Sequence, residues 1–170
     1  PDPIAIDGPW ELAFPPGWGA PDHVTLQQLI SWTDHPNPGV KYFSGTAIYR
    51  RQFNLPSGLL DRQRRYDLDL GHVFVIAQVN LHGRDLGILW KPPFLVDVTE
   101  RLQGGVNELV VNVVNLWPNR LIGDEQLPED SEWIPSSTPK NLTPRNYGAV
   151  LAAWPKWFLE HKPSPTGRVT

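Results

Sequence analysis

The stretch that decides the fold is VFVIAQVNLHGRDLGILW, residues 73–90, in which two apolar segments flank a glycine turn. One face of the first segment consists of Val73, Val75, Ala77, Val79 and Leu81. Alternation of apolar side chains with period two is typical of a strand that has one face in a core. Residues 82–85 include Gly83, which adopts positive φ without strain and favours a tight reversal. We therefore predict a β-hairpin whose second strand covers residues 86–90.

Further short strands are predicted on both sides of this hairpin. They cover residues 42–53, 65–70, 94–98 and 108–115, with a strand or amphipathic turn within residues 24–32. Both faces of the segment 42–53 are mixed in polarity, so the sequence leaves open which of them is buried. Seven or more short strands joined by short loops predict an all-β fold, a jelly-roll sandwich of two sheets. The length of 170 residues fits a single domain, residues 1–170.

Three regions are predicted to be irregular. Residues 15–21 and 34–39, rich in proline and glycine, are predicted loops, and residues 117–144 contain five prolines and show little periodicity. A long irregular stretch inside a compact domain is typically functional or packed on a partner.

Composition excludes several classes of function. The chain has 15 Lys and Arg against 18 Asp and Glu, a net charge of −3, which disfavours nucleic acid and anionic membranes as partners. No apolar stretch approaches the roughly 18 residues of a membrane span. Cysteine is absent, which removes disulfides, thiolate metal sites and cysteine nucleophiles. Methionine is absent too and the chain begins at Pro1, so we expect a processed product or a piece of a longer protein.

Six segments follow one another in order through the middle of the chain. They are YRRQF (49–53), LDLGHV (68–73), VNLHG (79–83), FLVDVT (94–99), GVNEL (105–109) and VNV (111–113). This series resembles the jelly-roll sugar-binding domain of glycoside hydrolase family 2, which is galactose-binding-domain-like. The resemblance covers about residues 42–115.

Three flanking segments point to a second resemblance. GPWEL (8–12), SWTDH (31–35) and NLWPNRLIGD (115–124) are similar to the C-terminal β-sandwich region of family 106 α-L-rhamnosidases and related bacterial enzymes. The resemblance implies a non-catalytic, carbohydrate-associated domain, because the family's catalytic carboxylates belong to a separate barrel. The implied partners are an oligo- or polysaccharide and that catalytic barrel domain, and the implied location is secreted or periplasmic. The chain departs from the family at its end: a strand usually follows a segment like Gly167-Arg168, and here the sequence stops at Thr170.

The first candidate saccharide site consists of Trp117, Asn119, Arg120 and Asp124. In family 2 enzymes the loop at this place reaches the sugar. Sugar recognition needs a flat apolar surface for the ring and a few planar donors or acceptors for the hydroxyls. The structural alternative is that Trp117 plugs one end of the sandwich while Arg120 pairs with Asp124 or Glu125 to brace the loop.

The second candidate site consists of Trp32, Asp34, His35 and Tyr42. The family 2 resemblance places this segment on another loop that approaches the sugar. Its structural alternative is an Asx-type turn before Pro36 with a stacked aromatic ring. Trp90 is either a surface stacking platform or a lid of the hairpin on the core, and we favour the lid. Core or interdomain contacts are expected for Trp10, Trp18, Trp154 and Trp157.

The remaining candidate group is acidic and comprises Asp124, Glu125, Glu129, Asp130 and Glu132. It has enough oxygen atoms for a calcium ion, but its spacing does not match an EF-hand, and a solvated acidic loop is the favoured interpretation. No other cofactor is expected. Two of these carboxylates could also serve as acid and nucleophile of a small free-standing glycosidase. The main hypothesis is therefore a carbohydrate-binding accessory domain, with that glycosidase and a purely structural interdomain module as alternatives.

Overall fold

The computed structural model describes residues 3–61, 63–127, 133–135 and 153–155, together with Glu160 and Lys162. It contains two compact units, Pro1–Leu121 and Ile122–Thr170. The single domain over residues 1–170 stays a prediction. Within the described residues, no helix is long and apolar enough to cross a membrane.

The main sheet of the first unit has six antiparallel strands. In chain order they are β1 (Trp10–Ala13), β2 (His23–Leu26), β3 (Gly45–Leu55), β5 (Ile76–Leu81), β6 (Arg84–Leu89) and β8 (Gly105–Asn115). In space they lie in the order β2-β1-β3-β8-β5-β6, so the two longest strands are central. β3 and β8 pair along their whole length, from Gly45 opposite Asn115 to Leu55 opposite Gly105.

A second, two-stranded sheet consists of β4 (Asp67–Asp69) and β7 (Leu95–Asp97). Leu68 of β4 and Val96 of β7 pack against the buried cluster that the main sheet contributes. That cluster includes Leu12, Phe43, Ala47, Val79, Leu81, Leu109 and Val111. The prediction of an all-β sandwich is confirmed. Its core lies between the two sheets, as the inward residues of both layers require.

The structure settles which face of β3 is inward. Ala47, Tyr49 and Leu55 are buried, whereas Thr46 and Arg50 on the alternate face are exposed. Sequence alone could not decide this, because Tyr49 is polar at its tip and its neighbours on both faces are mixed in polarity.

The predicted hairpin is confirmed, and its turn consists of two residues with positive φ. His82 has a φ of 52° and Gly83 a φ of 72°, the two-residue reversal that matches the twist of the flanking strands. The expectation that Trp90 covers the core is wrong, because its side chain is 66% exposed. Trp90 directly follows β6, which lies at an edge of the main sheet.

Two helices occur where loops were predicted. α1 (Pro38–Lys41) lies in the segment that precedes β3, and Asn37 caps it through its Oδ1, which accepts the Gly39 N–H at 2.8 Å. α2 (Pro118–Glu125) follows β8. Both helices carry proline at their first position, where its missing N–H costs no hydrogen bond. In the second unit, β9 (Trp133–Pro135) pairs with β10 (Ala153–Pro155) in antiparallel register.

Candidate functional site

The candidate site lies at the end of the main sheet where β3 begins and β8 ends. Gly45 and Asn115 are paired there, so the segment that leads into β3 and the segment that leaves β8 are neighbours. These segments carry residues from both sets that the sequence singled out. The β1–β2 loop lies at the same end, because the last residue of β1, Ala13, pairs with Ile48 near the start of β3.

Side-chain hydrogen bonds fasten the segment after β8 to the segment before β3. Asn115 Nδ2 donates to the carbonyl oxygen of Phe43 at 3.1 Å, and Ser44 Oγ donates to that of Leu116 at 2.8 Å. Asn119 Nδ2 donates to the carbonyl oxygens of Lys41 at 2.7 Å and Phe43 at 3.2 Å. The backbone around Trp117 is therefore held at several points by residues distant in sequence.

Trp117 lies between these fastened positions and points outward. Its carbonyl oxygen accepts the N–H groups of Arg120 and Leu121 and so begins α2. Its side chain is 76% exposed. The alternative that Trp117 plugs the end of the sandwich is therefore wrong for this residue. A rigid backbone with an outward indole presents a preformed flat apolar surface.

The β1–β2 loop contributes a second exposed indole and makes a close backbone contact. Trp18 is 51% exposed, and its Cε3 is 3.7 Å from where a Cβ on Gly45 would lie. A Cβ on Gly39 of α1 would lie 2.0 Å from the carbonyl oxygen of Gly19, so the two glycine backbones touch. Arg120 Nη1 lies 3.1 Å from where a Cβ on Gly19 would be, which brings its guanidinium to the same loop.

Trp32, by contrast, is part of the core. It is 8% exposed, and its ring makes edge-on contacts with Phe14 and Phe43 at centroid distances of 6.0 and 5.6 Å. Its Nε1–H donates to the hydroxyl of Tyr49 at 2.5 Å. Burial raises the pKa of Tyr49 above its ordinary value of 10.0, an effect that the bond from Trp32 partly opposes. The indole face of Trp32 is therefore covered by protein.

The other members of the second set lie nearer the surface. Asp34 is exposed at the end of a short 3-10 turn, and His35 is half-buried. His35 Nδ1 accepts the Asn37 N–H at 3.1 Å. Tyr42 is half-buried directly after α1, with Lys41 Nζ 5.6 Å from its ring centroid. The Asx-type interaction of this segment uses Asn37, one residue after Pro36.

The structure thus joins parts of both candidate sets and separates others. Asn119 contacts the Lys41 carbonyl, which is adjacent to Tyr42, whereas Trp32 lies inside. Trp18 and Lys41 belong to the same end of the sheet and were missed as site residues. The flanking Gly17 and Gly19, both with positive φ, indicated only a turn in the sequence.

The structure says less about Asp124 and the other acidic residues than about the two aromatic sets. Asp124 is half-buried in the last part of α2, in the second unit. Glu129, Asp130 and Glu132 lie outside the described residues, so the calcium hypothesis is untested for them. Among residues that the structure describes, no three His, Cys, Asp or Glu side chains are grouped as a metal site requires.

Comparison with known proteins gives the wider context of this arrangement. The whole chain is 42% identical to part of a protein of Formosa agariphila provisionally named a beta-glucuronidase. The solved rhamnosidase of Novosphingobium sp. PP1Y matches 74% of the chain with 41% identity and a TM-score of 0.69. The chain is therefore similar to a part of glycoside hydrolases. The Ruminococcus gnavus beta-glucuronidase, at 22% identity and a TM-score of 0.52 over 65% of the chain, shares the fold.

The chain matches only a small part of the length of those proteins. It spans 14% of the Formosa protein, 12% of the rhamnosidase chain and 20% of the Ruminococcus chain. No family model matches the sequence. The resemblance to glycoside hydrolases of the rhamnosidase type, inferred from the ordered segments and their flanks, is confirmed.

Proposed function

We propose that the chain is a non-catalytic, carbohydrate-binding accessory domain of a larger glycoside hydrolase, and that it binds an oligo- or polysaccharide at the end of the main sheet. The residues that form this site are Trp18, Asp34, His35, Lys41, Tyr42, Trp117 and Arg120. A catalytic domain on the same polypeptide would perform the hydrolysis. The Formosa protein and the rhamnosidase, of which the matched part is 14% and 12% of the length, support this division of labour.

The observation that carries the proposal is the outward indole of Trp117 on a fastened backbone. An aromatic ring that is ordered before binding loses little conformational freedom when a sugar stacks on it. The 76% exposure of Trp117 leaves its ring open to a ligand. Trp18, on the neighbouring loop, provides a second apolar surface at the same end.

Polar groups around these rings have two different roles. The side-chain nitrogen of Asn119 donates to two backbone carbonyl oxygens, so Asn119 is a positioning residue. Its Oδ1 remains as an acceptor. The charged groups of Lys41, Arg120 and Asp34 would form hydrogen bonds with the hydroxyls of a sugar. Charged donors and acceptors make the stronger hydrogen bonds with such neutral partners.

Calorimetric titration with rhamnosides, glucuronides and plant polysaccharides tests the proposal. We expect saturable binding that Trp117→Ala weakens at least tenfold, equivalent to about 1.4 kcal/mol. Trp90→Ala is the matched control, because Trp90 is similarly exposed but lies beside the edge strand. Equal losses in both variants, or no binding to any of these glycans, would contradict the proposal.

An aryl-glycoside assay of the same chain separates the catalytic alternative. A free-standing glycosidase turns over the substrate and loses activity when one of two facing carboxylates is replaced. An accessory domain binds without turnover. We expect no turnover above the rate of the buffer blank.

A further inference from the structure

A second exposed apolar surface lies along the hairpin of β5 and β6. Phe74 is 91% exposed, Trp90 is 66% exposed and Ile88 is 60% exposed. Phe74 precedes β5 by two residues and Trp90 follows β6 directly. Hydrophobic side chains of this size and exposure, grouped together, are typical of a surface that another protein element covers.

Strand register places Ile76 and Ile88 on the outward face of the main sheet. Ala77 and Val79 of β5 are buried inward, so their neighbours Ile76 and Gln78 face outward. Ile88 pairs with Gln78 and faces the same way. Trp90, directly after β6, and Phe74, in the bend before β5, are grouped with them by their exposure and by their position two residues from Ile88 and Ile76. We call Phe74, Ile76, Ile88 and Trp90 the hairpin surface.

The chemistry of the hairpin surface differs from that of the saccharide site. Around Trp117 the neighbours are hydrogen-bonding or charged side chains, namely Ser44, Asn119 and Arg120. On the hairpin surface the aromatic rings accompany two isoleucines, and Val114 of β8 pairs directly with Ile76. Its polar groups lie beside these side chains: Gln78 donates to Asp85, and Lys91 Nζ lies 5.2 Å from the ring centroid of Trp90. Branched aliphatic side chains offer no flat surface and no hydrogen bond to a sugar. They do suit the apolar side chains of another protein domain.

We propose that the hairpin surface is the docking site for a neighbouring domain of the same, longer glycoside hydrolase polypeptide, through an apolar patch on that domain. This inference rests on the proposed function. The length of the relatives favours this occupant: the chain matches along 100% of its length but only 14% of the Formosa protein, so most of that protein lies outside the match. Ile76 pairs with Val114, the residue before Asn115, so the hairpin surface lies toward the same end of the sheet as the saccharide site, with its β5 residues two strands from β3. Docking there would fix the direction in which Trp117 presents a glycan.

Hydroxyl-radical footprinting of tryptophan tests the proposal with internal standards. Trp117, 76% exposed, gives the rate of an open indole, and Trp32, 8% exposed, gives that of a covered one. The measurement is made on the 170-residue chain and on the natural full-length polypeptide. We expect Trp90 to react like Trp117 in the chain and nearly as slowly as Trp32 in the full-length protein.

Other occupants give different results, and each would overturn the proposal. If Trp90 is protected already in the dilute 170-residue chain, other residues of the same chain cover it. If the protection of Trp90 increases with the concentration of the chain, a second copy of the chain covers it. Rapid oxidation of Trp90 in both samples, or a natural polypeptide no longer than this chain, would leave the surface without a docked domain.

A pair of charge substitutions in the full-length protein checks that the contact is specific. Ile88→Asp introduces a charge into the hairpin surface and should restore rapid oxidation of Trp90. Val106→Asp is the matched control: Val106 is also an exposed aliphatic residue, at 63%, but lies at the opposite end of the sheet beside the Gly105–Leu55 pair. An equal effect of both variants would contradict the proposal.

Saccharide added to the same samples separates the two proposals. Protection of Trp117 by a glycan reports the proposed function and is independent of the reactivity of Trp90. If no glycan protects Trp117, the saccharide site fails while the docking result stands on its own. If Trp117 is protected but Trp90 remains open in the full-length protein, only the docking site fails.

Discussion

The side-chain Nδ2 of Asn119 lies 2.7 Å from the carbonyl oxygen of Lys41, although 78 residues separate them in the chain. The same nitrogen also reaches the carbonyl of Phe43. These bonds join the beginning of α2 to the end of α1. The position of Trp117, two residues before Asn119, therefore depends on a contact between distant parts of the chain.

Replacing Asn119 should loosen this connection and weaken saccharide binding. Asn119→Ala removes both bonds and is expected to lower the free energy of unfolding by about 1–2 kcal/mol. Asn119→Asp should cost more near neutral pH, because its carboxylate would face two carbonyl oxygens. Below about pH 4 the acid is protonated and can donate again, so part of the loss should be recovered. Urea unfolding at both pH values measures this, and an equal deficit of N119D at the two pH values would contradict the assignment.

The backbone contact of Gly39 with Gly19 should tolerate no side chain. Gly39→Ala would place a Cβ 2.0 Å from the Gly19 carbonyl oxygen, and the backbone would have to move. We expect a destabilisation of about 1–3 kcal/mol, with loss of order in the β1–β2 loop. Thermal unfolding and saccharide titration measure the two effects.

Gly58→Ala is the matched control for that substitution. Gly58 lies in a short 3-10 helix, and a Cβ there meets no heavy atom within 4 Å. Its expected effect is within about 0.5 kcal/mol. If G39A were as stable as G58A, the two loops would not be in contact as described.

The strands were predictable because period-two alternation reflects one-sided burial, a local property of the sequence. Residues 76–81 and 105–115 follow that pattern and form β5 and β8. β1 was missed, since a strand of only four residues shows a single repeat of the alternation, with Trp10 and Leu12 buried on either side of Glu11. Both helices were also missed, although Asn37-Pro38 and Trp117-Pro118 combine a residue outside the helix with proline at its first position. The surrounding prolines and glycines obscured that signal.

Whether an individual tryptophan is buried or exposed was not predictable from its neighbours in the sequence. Trp32 and Trp117 both occur in polar segments rich in proline. Trp32 is buried because Tyr49 provides an acceptor for its indole N–H and Phe14 and Phe43 surround the ring. Trp117 is exposed because its backbone neighbours are fastened to the segment before β3. Both outcomes depend on tertiary contacts, which a single sequence does not specify.

The hydrogen bond between Trp32 and Tyr49 predicts that removing the Tyr49 hydroxyl lowers the stability of the fold. Tyr49→Phe leaves the buried Trp32 N–H without its acceptor and should lower the free energy of unfolding by about 1–3 kcal/mol. Because burial raises the pKa of Tyr49, the folded state keeps its proton more tightly than the unfolded state. This stability is fully present below the ordinary pKa near 10 and decreases as the pH rises above it.

Urea unfolding at pH 8 and pH 10.5 separates these contributions. The parent should lose stability between the two values, and Y49F should lose less, since it lacks the titrating hydroxyl. Tyr66→Phe serves as a control for a tyrosine whose hydroxyl donates to the Leu59 carbonyl near the surface. Identical pH slopes for Y49F and the parent would contradict the role given to Tyr49.

Asp97, in the small sheet, should make stability sensitive to acid. Hydrogen bonds from the side chain and backbone N–H of Thr99 hold the pKa of Asp97 below its ordinary value of 3.8, and Arg65 adds a smaller attraction. A lowered pKa in the folded state contributes stability above the unfolded value, and this contribution is lost as the pH falls through the folded value. Asp97→Asn should therefore be less stable than the parent at pH 7.

The difference between D97N and the parent should shrink as the pH falls below the ordinary pKa of 3.8 and through the lower pKa of Asp97 in the folded parent. Urea midpoints at pH 7, 4 and 2.5 measure it. Glu100→Gln removes an exposed carboxylate nearby and controls for net charge. A gap between D97N and the parent that stays unchanged from pH 7 to pH 2.5 would contradict this role of the carboxylate and would mean that the asparagine disrupts packing of β7.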